Sequence, residues 1–195
     1  MTYDQLDALG IDQKWLDPLN ETFQKYDIST PARQAFFIGQ CAHESGNFRI
    51  LEENLNYSAA RLMAVWPSRF PSADVADQYA NNPEKIANKV YAGRMGNVED
   101  SDGFAFRGRG LVQLTGREAY ANCGSGLGVD LLSNPDMLFD PEYACLSAGW
   151  FWNKKSLNDL ADTQDYETMT KRINGGIIGL DDRKAKIAKA ISVLG

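Results

Sequence analysis

The chain has 195 residues, 44% hydrophobic and 11% aromatic, which excludes a disordered chain and fits one domain, or one domain carrying a lobe. A core of that size needs no metal or disulfide staple. Twenty basic against 26 acidic residues leave a net charge of −6, the wrong sign for general nucleic-acid binding, and no apolar stretch approaches the ~18 residues of a membrane span.

Capping residues then mark helices in chain order. Thr30 before Pro31 reads as an N-cap with proline at the first helical position, opening a helix through PARQAFFIGQCAHE that Gly46 ends. Phe36, Phe37, Cys41 and Ala42 give that helix the broad apolar face of a core element. GNFRILEENLNYS keeps no helical period and reads as a loop or short irregular strand. Ser58 caps a short helix with Leu62, Val65 and Trp66, stopped by Pro67. Residues 67–103 are polar and loop-rich, interrupted by a helix that Asn82–Pro83 opens, with Ile86 and Val90 on one face and Gly93 past its end. The stretch of about 60–105 reads as a small lobe inserted into a single domain spanning 1–195.

DGFAFRGRGLVQLTG, with four glycines and alternating apolar residues, predicts a short hairpin. GREAYANC follows as a helix. Asp140–Pro141 repeats the capping device before EYACLSAGWFW, and a last helix runs from about Asp181 to Leu194 with Ile187 and Ile191 one turn apart. The predicted class is mainly α, without internal repeats or long linkers. The acidic opening MTYDQLDALGIDQKW lacks the apolar core of a conventional signal peptide. Cys41, Cys123 and Cys145 form no CxxC motif and suit a reducing compartment, as small buried hydrophobes.

Metal, triad and phosphate-loop chemistry find little footing. His43 is the one histidine; HESGN lacks the second histidine of HExxH, and GRGLVQ lacks a GK[ST] ending. Carboxylates offer more. Glu44 ends an apolar helix, where the dipole disfavours it. A carboxyl packed against apolar side chains holds its proton more tightly, as a general acid must. Glu52 and Glu53 follow within nine residues, close enough to bring a second carboxylate across a cleft, the pairing that glycosidases use. By pattern alone, a glutamate near a helix end reads more readily as a solvated surface residue than as a catalytic one.

AHESGNF at 42–48, LEENLNYSA at 51–59, FRGRGLVQLTGREAY at 106–120 and INGG at 173–176 occur in one order. Together they resemble glycoside hydrolase family 19, the chitinase-like fold, and within it the phage endolysin and bacterial lysozyme branch. The resemblance spans about residues 30–190. It implies a mainly helical, lysozyme-like bilobal fold with a cleft, here with the small β-hairpin beside it, and an inverting mechanism without cofactor or metal. It makes Glu44 the general acid and Glu53 the general base, with Glu52 a solvated neighbour. Thr115 would help hold the water, unless it only caps the following helix, and Gln113 would bind sugar. Asn174 would contact substrate, unless it only shapes the turn before Gly175 and Gly176. Arg183 would face the cleft, Arg109 would organise its loop or support Glu44, and Tyr57, Ser58 and Tyr120 would line the cleft or pack. Trp66, Trp150 and Trp152 invite a sugar-stacking role, but Trp150 and Trp152 on an apolar helix read as core.

The implied substrate is the glycan strand of peptidoglycan, acted on by a monomer that binds no nucleic acid and does not insert stably in a membrane. Its place would be the host cytoplasm before lysis and the wall after release through a holin-type pore. A chitinase and a non-catalytic wall-binding module are the competing readings. Lys171, Arg172, Arg183, Lys184, Lys186 and Lys189 against Asp181 and Asp182 give residues 171–189 a net +4. This reads as a solvated helix face rather than a membrane-binding patch.

Overall fold

The computed structural model describes residues 1–195. Its helices are α1 (Tyr3–Leu9), α2 (Leu16–Lys25), α3 (Pro31–Glu44), α4 (Ala59–Val65), α5 (Ala73–Asp77), α6 (Pro83–Tyr91), α7 (Asp102–Ala105), α8 (Arg117–Leu127), α9 (Pro141–Lys154), α10 (Leu157–Asp162), α11 (Tyr166–Asn174) and α12 (Leu180–Leu194), with 3₁₀ turns at Gln13–Trp15 and Pro135–Phe139. None is long and apolar enough to cross a membrane. The chain forms two compact units. The first comprises Met1–Leu51, Gly110–Gln113 and Asp136–Gly195; the second, Glu52–Arg109 and Leu114–Pro135.

In the first unit α3 is central. Thr30 Oγ1 accepts the Arg33 amide, Pro31 sits in the first turn, and every residue from Ala35 to Ala42 is buried, the signature of a helix covered on all sides. Each fully buried Phe, Leu or Ile here contributes about 1.5–3 kcal/mol. α12 lies so close to α3 that a Cβ on Gly39 would strike the Ile187 side chain and come within 2.8 Å of its amide nitrogen. Trp152 belongs to this core, 2% exposed, with Nε1 donating to Asn158 Oδ1 at 2.8 Å. Trp150 is half-buried, with the Lys154 ammonium 4.8 Å from its ring. All three cysteines are buried and free, and burial pushes the Cys41 and Cys145 thiols up.

The second unit has its own core of Leu55, Leu62, Phe70, Ile86 and Val90. Ser58 caps α4 and Asn82 caps α6. Tyr57, Trp66, Phe70 and Tyr79 pack ring against ring. α7 seats on α6 through Gly103, where a Cβ would strike Ala87 O and approach Asn88 Cα to 2.6 Å. Asp102, 2% exposed, pairs with Arg117 at 2.6 Å and accepts the Val98 and Glu99 amides at 2.9 and 3.0 Å. These contacts hold its carboxyl down to about 2, the Arg117 hydrogen bond most of all.

The mainly helical class expected from the capping pattern is what forms, but the hairpin is not. Glu52 with Arg109, and Arg109 with Leu114, pair only as isolated antiparallel bridges. Arg109 N donates to Leu114 O at 3.1 Å and Leu114 N returns a bond to Arg109 O at 2.9 Å. Strands cannot extend from that point. α7 occupies Asp102–Ala105 on one side, and on the other Gly116, at φ +91°, turns the chain into α8.

Candidate active site

Glu44 belongs to the first unit, as the last residue of α3. Arg183 of α12 donates through Nη2 to Glu44 Oε1 and through Nη1 to Gln40 Oε1. Gln40 and Glu44 stand one turn apart on the same face, and Arg183 precedes by one turn the Ile187 that packs on Gly39. The close helix approach therefore delivers the guanidinium to the carboxylate. Two expectations are corrected here. Arg183 is 2% exposed, its fork taken up by α3, so it does not face substrate directly. The Glu44 carboxylate meets a guanidinium rather than an apolar wall.

Beside this pair, His43 Nδ1 lies 2.6 Å from Asp182 Oδ2. Its ring fills the space where a Gly179 side chain would be, with Nε2 2.6 Å from an added Cβ. Lys186, chiefly, and His43 hold the Asp182 carboxyl below the usual carboxylate range. Asn174 ends α11. Its Nδ2 donates to Ile178 O and its Oδ1 accepts the Gly176 amide, both at 2.9 Å, so both ends of the amide are engaged within its own loop. Gln113, at φ +53°, is half-buried and donates through Nε2 to Gly110 O at 3.0 Å. The basic segment is largely occupied locally: Lys171 pairs with Glu167, Lys186 with Asp182, Arg172 donates to Lys155 O and Lys189 to Leu9 O.

Glu53 belongs to the second unit. Its Oε1 accepts the Gly108 amide at 2.6 Å and its Oε2 accepts the Tyr91 hydroxyl at 2.7 Å, while its own amide donates to Gly108 O at 3.0 Å. Glu52 differs from it: exposed, it pairs with Arg107, whose guanidinium lies 4.0 Å from the Phe104 ring centre. These residues, with Asn54 and Asn56, line a cavity of about 400 Å³. Neutral donors fix the one glutamate, and an arginine neutralises the other.

The remaining residues separate by burial. Tyr57 packs half-buried on Trp66 at 5.0 Å. Ser58 is exposed and spends its hydroxyl on the Arg61 amide as the α4 cap. Tyr120 is 0% exposed, so of its two readings it packs rather than lines the cleft. Its hydroxyl donates to Arg107 O at 2.7 Å and accepts from Arg109 Nη1 at 3.1 Å, so it braces the segment behind Glu53. Arg109 also donates to Ala105 O at 2.7 Å, organising this loop. Thr115 is half-buried, and the N-cap of α8 is Gly116, without a side-chain capping bond. The sequence reading missed Tyr91 and Gln40. For Gln40 a signal existed, a lone amide between Gly39 and Cys41 in an apolar helix; for Tyr91 there was none.

This arrangement suits acid–base work. A carboxylate held by one donor on each oxygen keeps further lone pairs for a proton from water. A carboxyl beside a buried guanidinium has its charge met once it has given a proton away. Each carboxylate, within its own unit, is thus held in a state suited to giving or taking a proton.

Known proteins bear on the same point. The family model "Chitinase class I" of glycoside hydrolase family 19 matches residues 66–165. A "Glycosyl hydrolase family 19 domain-containing protein" of Haemophilus influenzae is 40% identical over 177 residues, 90% of this chain and 86% of that one. Endochitinase 2 of Gossypium hirsutum is 39% identical over 128 residues, 65% of this chain but only 37% of the plant protein. Chitinase C from Streptomyces griseus shares the fold, with a TM-score of 0.67 at 19% identity, covering 100% of this chain and 76% of that one. The chain belongs to glycoside hydrolase family 19.

Proposed function

We propose that this glycosidase is an endolysin or lysozyme-type enzyme that cleaves β-1,4 bonds of the peptidoglycan glycan with inversion. The observation that carries this reading is the Glu53 carboxylate, fixed on both oxygens and bordering the cavity of Asn54, Asn56 and Phe104. Glu44 protonates the leaving oxygen, and Arg183 meets the charge that remains. Glu53 takes a proton from the water that attacks the anomeric carbon on the opposite face. Inverting enzymes keep the two carboxyls roughly 6.5–9.5 Å apart to admit that water. Thr115 helps hold it and Gln113 binds a sugar ring, as the family motif implies. In this role the enzyme accumulates in the host cytoplasm and reaches the wall after release.

One observation leans toward peptidoglycan: the three cysteines are free rather than paired as in a secreted disulfide framework. Chitin is the second reading, favoured by the names of the cotton endochitinase and the Streptomyces chitinase. The test is digestion of peptide-trimmed peptidoglycan and of chitohexaose by wild type, Glu44→Gln and Glu53→Gln, with products reduced and read by mass spectrometry. New reducing ends from peptidoglycan with wild type alone support the proposal and name the bond. Cleavage of chitohexaose alone transfers the substrate to chitin, and cleavage of neither leaves a wall-binding module. A lost base costs ~10²–10⁴-fold, so Glu53→Gln above about a tenth of the wild-type rate overturns the assignment.

A further inference from the structure

We infer that Tyr91 is a positioning residue for the general base, its hydroxyl fixing the Glu53 carboxylate and setting how readily that carboxylate takes a proton from water. The inference rests on the reading of Glu53 as the base. Nothing in the family motifs points to Tyr91; the geometry does.

Tyr91 is the last residue of α6, whose Ile86 and Val90 are anchored in the core of the second unit. Its carbonyl accepts the Asn97 side chain at 3.1 Å and the Arg94 amide at 3.2 Å, so the backbone is held beyond the helix as well. From that anchor the hydroxyl reaches Glu53 Oε2 at 2.7 Å, while the Gly108 amide holds Oε1 at 2.6 Å. One bond to each oxygen stops the carboxylate from turning about its terminal torsion, which is otherwise broad and roughly two-fold. Each oxygen keeps another acceptor position for water.

The titratable and charged groups around the phenol are Glu53, Tyr57 and Arg94, and Glu52 with Arg107 stands beside Glu53. Burial, then the Glu53 hydrogen bond, pushes the phenol up, against a small opposing effect of Arg94. Tyr91 thus stays protonated and can only donate. A donor to a carboxylate favours its charged form, and a variant without the donor moves that balance toward the protonated form. A tenfold effect on this equilibrium is one pH unit, about 1.4 kcal/mol, within the range of a single charge-assisted hydrogen bond. A hydroxyl that acts only through Glu53 is expected to change kcat rather than KM.

The test compares wild type, Tyr91→Phe and Glu53→Gln on whichever glycan the wild type cleaves, as pH profiles of kcat and kcat/KM together with thermal melts. Tyr91→Phe is expected to lower kcat about tenfold at unchanged KM and to move the acid limb of kcat/KM up by about one pH unit. A structural role would lower the melting temperature and leave the limb in place, which overturns the inference. If Glu53→Gln is inactive while Tyr91→Phe keeps the wild-type limb and kcat, the inference falls and the base assignment stands. If Glu53→Gln stays active, the base assignment falls and the inference with it. Should Tyr91→Phe fail to fold, 3-fluorotyrosine at the same position, a stronger donor, must shift the limb to lower pH; an unmoved limb overturns the inference.

Discussion

Arg183→Met removes the guanidinium shared by Glu44 and Gln40 while keeping much of the side-chain length. Gln40 is buried, so the loss of a donor to its Oε1 costs about 1–3 kcal/mol. The Glu44 side chain is 23% exposed; water reaches it, and the loss of its ion partner costs only about 1 kcal/mol. On the other side, Arg183 Nε has no partner in the native protein, and an apolar replacement recovers part of the cost of burying that charge. The net expectation is about 2–3 kcal/mol, a fall in Tm of roughly 4–12 °C for a chain of this size. Calorimetry at pH 7 measures it, and a double-mutant cycle with Glu44→Gln isolates the pair, with an expected coupling of about 0.5–1 kcal/mol. On the role proposed for Glu44, kcat of the same variant falls at least tenfold as that carboxyl loses its orientation. A melt unchanged within about 2 °C, or a coupling below about 0.3 kcal/mol, refutes the reasoning.

Asp102 is held at about 2 against an ordinary 3.8. Its contribution is therefore complete above the higher value and is lost as pH falls from about 4 toward 2. Asp102→Asn should cost about 2 kcal/mol at pH 7, with the two melting curves converging near pH 2; a gap of equal size at both pH values contradicts this. Asn174→Ala removes two bonds inside the loop after α11, each worth about 1 kcal/mol. Faster amide exchange over residues 175–179 is expected, and unchanged exchange would show that the amide does not hold the loop.

Local chemistry was readable and distant pairing was not. Thr30, Ser58, Asn82 and Asp140 each announce a helix from within four residues, and all four cap as read. The Thr2–Gln5 capping box of α1 is equally local and was passed over. The hairpin failed because its apolar alternation competes with α7, a helix too short to show a period. Family motifs named Glu44 and Glu53, but not what holds them. Arg183 and Glu44 are 139 residues apart, Tyr91 and Glu53 38 apart, and nothing in either stretch encodes the meeting. The choice between cleft and packing for Tyr120 was hidden for the same reason: its burial depends on Phe106 and Arg109, which a helical pattern around GREAYANC does not reveal.

The span between Glu44 and Arg183 also orders events in time. A ribosome adds about 5–20 residues per second, so the 139 residues between them take roughly 7–28 s. Throughout that interval α3 has been made without α12, and Gly39 faces no Ile187. The nascent chain carries Glu44 long before the guanidinium that binds it. Any product broken off or stalled before position 183 holds the motif that marks the enzyme and lacks the partner that completes it. Full competence thus waits for α12, the helix that closes over α3.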